Sequence, residues 1–270
     1  MPITDINDCP IGVFDSGLGG LTVVKQLIQL LPNEKVVYVG DTARVPYGTK
    51  SAPTIIRYAK EIADVLLKHR VKMIVVACNT ASSLALEALA GHVKVPVVGV
   101  IEPGAKKAVS VTKNNKVGII ATASTIRSGK YAATIVNLNK TIMVTSQACP
   151  LFVPLVEEGW FDHPVTLQVA QEYLTTMKAA KIDTLILGCT HYPLLKNVIH
   201  TVMGPKVSLV DSAEVVAEGV RDLLSAKGML RTQFGPAKHT FLVSDEPVNF
   251  QKLASRFLGG GVKEVNQVSL

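Results

Sequence analysis

Apolar runs of strand length recur along the chain at Ile11–Phe14, Val36–Val39, Met73–Ala77, Val95–Val100, Val117–Ile120, Thr141–Val144, Thr184–Leu187 and Val207–Val210. Between them, apolar residues recur at helical spacing over Leu21–Leu31, Thr54–Lys68, Ser82–Ala90, Thr125–Leu138, Val165–Ala179 and Ala213–Ser225. The strands are continuously apolar rather than alternating, which predicts parallel sheets covered by helices on both faces. The fold class is therefore α/β.

The pattern also repeats. "IGVFDSG" resembles "VGIIATAS", with Gly118 − Gly12 = 106; "KMIVVACNT" resembles "DTLILGCTH", with Cys189 − Cys78 = 111; "VPVVGVIE" resembles "KVSLVDSA", with Asp211 − Glu102 = 109. Three matches in one order predict two pseudo-symmetric three-layer α/β domains with mostly parallel sheets. Residues 1–100 and 211–270 form the first, the C-terminal segment returning to it, and residues 101–210 form the second. The carboxyl ends of both sheets then face one cleft, where equivalent residues approach a ligand from opposite sides.

Composition narrows the partners. Of 270 residues, 28 are Lys or Arg and 21 Asp or Glu, a net charge of +7. The basic residues are scattered and no aromatic stripe interleaves with them, so nucleic acid is disfavoured and an acidic small molecule fits at least as well. The N-terminal stretch lacks the basic and apolar regions of a signal peptide, and no run reaches the roughly 18 apolar residues of a membrane span. A cytoplasmic location without membrane attachment is expected. Cys9, Cys78, Cys149 and Cys189 show no zinc or C-x-x-C spacing, so free thiols are expected in a reducing compartment.

Cys78 and Cys189 each end a predicted strand, Cys78 before "NTASS" and Cys189 before "THYPLL". A thiol there faces the positive end of the next helix, which lowers its pKa from about 8.5 toward neutrality. Either cysteine alone reads as a small buried residue; as a repeat-related pair they read as a working pair. A redox couple is disfavoured because a ligand between them keeps the sulfurs apart, and a metal lacks further ligands nearby. Opposed acid and base fit best: one thiolate removes a proton from a carbon and the other thiol delivers one to the opposite face.

The motifs "FDSGLGGLTV", "GDTARVPYG", "ACNTAS", "GVIEPG", "PLFVPLVEEG" and "LGCTHYPLL" resemble the glutamate racemases of the aspartate/glutamate racemase superfamily, from about Ile11 to Asp211. The resemblance implies a homodimeric enzyme that needs no cofactor and no metal and interconverts L- and D-glutamate for peptidoglycan synthesis. It implies that Cys78 takes the α-proton of D-glutamate and Cys189 that of L-glutamate. His191 would assist Cys189, and Asp15 would assist Cys78 or bind the substrate ammonium group. Ser16, Tyr47, Gly48, Asn79, Thr80, Thr190 and His191 would contact substrate. Asp41 and Glu157 match acidic positions of the family pattern, with roles open between an ion pair that shapes the cleft and catalysis. Thr122, equivalent to Ser16 by the internal repeat, is a candidate contact from the second unit. Cys9 and Cys149 receive no role. An aspartate racemase or another two-thiol member of the superfamily is the alternative. A nucleotide site at Gly17, Gly19 and Gly20 is disfavoured, because Thr22 stands where G-x-G-x-x-G needs glycine and Asp15 would repel phosphate.

Overall fold

A computed structural model describes residues 5–233, 235 and 237–270. The chain begins with β1 (Ile11–Asp15), α1 (Leu21–Leu30), β2 (Val36–Gly40), α2 (Ala52–Lys68), β3 (Met73–Val76), α3 (Asn79–Leu84), α4 (Leu86–Ala90) and β4 (Val97–Gly99). It continues through α5 (Ile101–Val111), β5 (Lys116–Ala121), α6 (Ala123–Arg127), α7 (Lys130–Leu138), β6 (Met143–Ala148), α8 (Phe152–Glu157), α9 (Pro164–Ala179), β7 (Thr184–Gly188), α10 (Lys196–Met203) and β8 (Ser208–Asp211). Last come α11 (Ser212–Ala226), β9 (Thr240–Val243), α12 (Pro247–Leu258) and the short β10 (Asn266–Gln267).

One sheet has the order β10-β9-β2-β1-β3-β4 and the other β6-β5-β7-β8, with neighbouring strands parallel throughout. The order β2-β1-β3-β4 repeats as β6-β5-β7-β8, as the sequence repeat requires. Gly12 pairs with Ile74 and Gly118 with Leu185, so these partners differ by 185 − 74 = 111, the separation of the two cysteines. The third match needs correction. Val76 faces Gly99 while Leu187 faces Asp211, which makes Gly99 the counterpart of Asp211. Glu102 lies beyond the strand, in the first turn of α5.

β1, β3 and β7 are buried along their whole length because helices cover both faces. Each fully buried aliphatic or aromatic side chain there contributes about 1.5–3 kcal/mol. β6 differs: it is the outer strand of its sheet, its residues read Met-Val-Thr-Ser-Gln-Ala, and Met143 is exposed. Two expected helices are each split. The segment after β3 breaks at Ala85 into α3 and α4, and the segment after β5 breaks at Gly129, whose φ of +63° favours glycine. The returning C-terminal segment pairs β9 against β2 and so widens the first sheet. Lys72 and Glu34 form a buried ion pair at 2.6 Å, and Lys72 also donates to the Met229 carbonyl, which ties down the chain that leads to β9.

Candidate active site

Between the carboxyl ends of the two sheets lies a cavity of about 390 Å³. The first half of the chain contributes Ser16, Tyr47, Gly48, Cys78, Asn79 and Thr80 to its wall, and the second contributes Cys189, Thr190 and His191. Thr122 and Glu157 line it as well. Thus nine of the ten side chains and backbone positions expected from the sequence meet in one cavity. The tenth, Asp15, stands behind the wall.

Cys78 caps α3 and is 5% exposed, its Sγ 3.9 Å from the Ser16 Oγ. Burial pushes its thiol up to about 12, and the negative charges of Asp15 and Cys189 add to the effect. The lowering expected from the following helix does not prevail, because α3 is short and desolvation favours the neutral thiol. Asp15 is fully buried beneath the glycine loop. Its carboxylate accepts from the Gly17 N–H at 3.0 Å and from the Thr190 hydroxyl at 3.4 Å. Burial raises its pKa, opposed by the charge of His191 and by the amides of Gly17 and Gly20. This placement puts Asp15 behind the cavity wall, where its carboxylate supports the loop and adds to the field at Cys78.

Cys189 is 6% exposed, with its Sγ 3.8 Å from the His191 Nδ1. The other ring nitrogen, Nε2, lies 3.0 Å from the Glu157 Oε1. Burial disfavours the charged ring, but Cys189 and Glu157 outweigh it and raise His191 to about 10. Phe257 of α12 sets its ring edge-on to His191 at 5.7 Å, and the Arg256 guanidinium donates to the Glu157 carbonyl at 3.0 Å. The helix expected directly after Cys189 is instead a 3-10 turn over Tyr192–Leu195 leading into α10.

The glycine loop after β1 explains how these walls approach so closely. A Cβ on Gly19 would sit 2.2 Å from the Thr190 Oγ1 and 2.5 Å from the His191 Nδ1. The Thr22 hydroxyl, at the start of α1, donates to the Thr190 carbonyl at 3.1 Å and ties the loop to the opposite half. A second tie joins the Thr80 and Thr122 hydroxyls at 3.0 Å.

The open positions divide. Glu157 and Thr122 belong to the cavity, whereas Asp41 is fully buried outside its wall. Asp41 accepts from Arg44 Nε at 2.6 Å, from Ser244 Oγ at 2.9 Å and from the Tyr47 hydroxyl, so it fixes the Tyr47 ring from behind. The apolar wall of Val45, Pro46, Pro150, Val153 and Pro154 was not singled out from the sequence, although "VPYG" and "PLFVPLVEEG" contain it. Tyr131, which donates to the Asn79 Oδ1 at 2.8 Å, and the pair Arg256–Phe257 had no sequence signal. Their contacts join segments far apart in the chain. Cys149 is fully buried, its thiol raised by burial, and Cys9 lies apart. Among the described residues all four cysteines are free, no group of His, Cys, Asp or Glu is arranged to hold a metal ion, and no helix is long and apolar enough to cross a membrane.

Two thiols on opposed walls, one beside a hydroxyl and a buried acid and the other beside a charged imidazole, can exchange protons with both faces of one bound carbon.

The sequence matches the Asp/Glu/Hydantoin racemase family over residues 11–220. It is 53% identical over 260 residues to a glutamate racemase of Geobacter metallireducens, covering 96% of each chain. Among solved structures it superposes on glutamate racemase isoform RacE1 from Bacillus anthracis with a TM-score of 0.95 at 39% identity, covering 98% of both chains. It superposes on a glutamate racemase from Francisella tularensis in complex with D-glutamate with a TM-score of 0.91 at 40% identity, covering 97% of this chain and 98% of that one. An aspartate racemase homologue from Pyrococcus horikoshii shares the fold at 18% identity and a TM-score of 0.59, covering 80% of this chain and 99% of that one. The chain belongs to the Asp/Glu/Hydantoin racemase family.

Proposed function

We propose that this chain interconverts L- and D-glutamate by moving a proton at the α-carbon between Cys78 and Cys189. The observation that carries the reading is the pair of thiols at register-equivalent strand ends on opposite walls of one cavity. In one direction the Cys189 thiolate removes the α-proton of L-glutamate and the Cys78 thiol protonates the other face; in the reverse direction the roles exchange. The α-proton is far less acidic than a thiol, so the site must stabilise the carbanion and exclude water. Asn79, Thr80, Thr190 and the backbone near Ser16 and Gly48 are the groups that receive the carboxylates. His191, oriented by Glu157, serves the Cys189 side, and Asp15 serves the Cys78 side through its charge. The two thiols supply both proton acceptor and proton donor, so the reaction calls for no cofactor.

The two-sheet architecture supports a division into residues 1–100 with 211–270 and residues 101–210. Four free thiols fit a reducing cytoplasm, where the product D-glutamate would serve peptidoglycan synthesis. A homodimer completes the reading and is tested by light scattering on the purified chain. Aspartate is the rival substrate; the identity to glutamate racemases favours the longer acid.

The decisive experiment follows the circular dichroism of L- and D-glutamate, and separately of aspartate, with purified protein and no added cofactor. Glutamate should lose its optical signal from either side, and a run in deuterium oxide should place deuterium at the product α-carbon. Racemisation that requires added pyridoxal phosphate, or that prefers aspartate, overturns the reading.

A further inference from the structure

The glycine loop after β1 is held from behind as well as across the cavity. Gly17 lines the cavity. Its N–H donates to the Asp15 Oδ2 at 3.0 Å, and its carbonyl accepts from the Tyr38 hydroxyl at 2.5 Å. Tyr38 stands on β2, fully buried and outside the cavity wall. Its ring stacks on Phe250 of α12 with centroids 6.0 Å apart and packs against Phe241 of β9 at 6.3 Å. Two neighbouring glycines leave the space this bond needs. A Cβ on Gly40 would lie 2.9 Å from the Gly17 carbonyl oxygen, and one on Gly20 would lie 2.9 Å from the Tyr38 hydroxyl.

Glycine has more backbone freedom than any other residue, and here the peptide on each side of Gly17 carries a hydrogen bond. The leading peptide joins it to Ser16, whose Oγ is 3.9 Å from the Cys78 Sγ. A buried carbonyl stripped of its donor is unfavourable enough to shift the loop that carries it. Burial, with the negative charges of Asp15 and Cys78, holds the Tyr38 phenol protonated well above the ordinary range of tyrosine, so it stays a donor. The other half has no such phenol. Val13 pairs with Tyr38, while its repeat counterpart Ile119, at 119 − 13 = 106, pairs with Ser146.

We infer that Tyr38 is a positioning residue of the Cys78 wall: its hydroxyl fixes the Gly17 carbonyl and thereby keeps Ser16 beside the thiol. The inference rests on the racemase reading and adds to it a residue that acts from outside the cavity. Because the second half has no counterpart, the effect falls on the proton transfer at Cys78 and spares the one at Cys189.

The test compares Tyr38→Phe with the wild type on the full chain, using glutamate with hydrogen or deuterium at the α-carbon. Loss of the one hydroxyl should lower kcat/KM about tenfold, equally for both enantiomers. The isotope effect on kcat/KM should grow for D-glutamate, whose α-proton goes to Cys78, and shrink for L-glutamate. A purely structural role would leave fewer active molecules, which lowers the rate and leaves both isotope effects as they were. Unchanged isotope effects, parallel changes, or a kcat/KM within about twofold of wild type overturn the inference. Should Tyr38→Phe fail to fold, Phe250→Leu decides. It loosens the tyrosine ring without removing the hydroxyl and should move the two isotope effects in the same opposed directions; unchanged or parallel effects overturn the inference. If the wild type racemises glutamate and the opposed shift is missing, only this inference falls. If the wild type does not racemise glutamate, the racemase reading falls and takes the inference with it.

Discussion

The Cys78 wall and the Cys189 wall descend from the same structural position yet differ in charge. The counterpart of His191 across the repeat is Thr80, since 191 − 80 = 111. Thr80 gives Cys78 no basic neighbour; its hydroxyl meets Thr122 and Thr125. Cys78 instead has Asp15 behind it and is held neutral, up to about 12. Cys189 has an imidazole at 3.8 Å that stays charged to about 10. The repeat thus supplies two thiols, and one unmatched position gives them different resting environments. In the proposed two-base reaction each thiol acts as acid in one direction and base in the other, so the two walls carry out matching roles with different neighbours.

The largest test removes the thiols. Cys78→Ser and Cys189→Ser should each lower kcat by at least about a thousandfold, since a hydroxyl is a far weaker acid than a thiol. Retention of activity by either variant in the dichroism assay ends the comparison.

The next tests address the neighbours. His191→Asn and Asp15→Asn should each lower kcat by about a hundredfold or more. Because enantiomers have equal free energy, kcat/KM falls by the same factor in both directions, and the asymmetry must be read elsewhere. With α-deuterated substrates, His191→Asn should enlarge the isotope effect on kcat/KM for L-glutamate and shrink it for D-glutamate; Asp15→Asn should do the reverse. Parallel changes would show that neither neighbour belongs to one wall.

Gly19→Ala should act on the seam between the walls. Its methyl group would press on Thr190 and His191, with an expected loss of about tenfold in kcat and a cost of about 1–3 kcal/mol, seen as a lowered melting temperature.

The smallest effect is in stability against pH. The His191 pKa rises from 6.5 to about 10 on folding, so its contribution is complete below pH 6.5 and is lost as pH climbs toward 10. The Cys78 pKa rises from 9.0 to about 12, so the folded chain keeps a proton that the unfolded chain releases, and stability falls further above pH 9. Melting temperature should therefore decline from pH 6.5 upward in the wild type. His191→Asn should flatten the stretch below pH 9, while Cys78→Ser should flatten the stretch above it.

How much of this could be read from the chain depends on the range of the forces involved. Strands buried on both faces, such as β1, β3 and β7, betray themselves as apolar runs. The outer strand β6 does not: the run at Thr141–Val144 suggested it, but the strand lies at Met143–Ala148, where exposure permits polar residues. α5 has no counterpart among the predicted helices; it carries Pro103 in its first turn, where proline is tolerated, and Gly104 just after. β9, α12 and β10 left no assigned pattern. In the site, the thiols and their immediate neighbours were legible because duplication printed them twice. The burial of Asp15, the grip of Tyr131 on Asn79 and the contacts of α12 were not, because each depends on how distant segments pack.

The contact of Phe257 and Arg256 with His191 and Glu157 also orders events in time. Ribosomes deliver chains from the N-terminus, and domains fold as they emerge. Both thiols leave the ribosome well before α12, so a nascent chain holds its two sulfurs before the imidazole has its final support. The imidazole side of the site is completed by the last of the described helices.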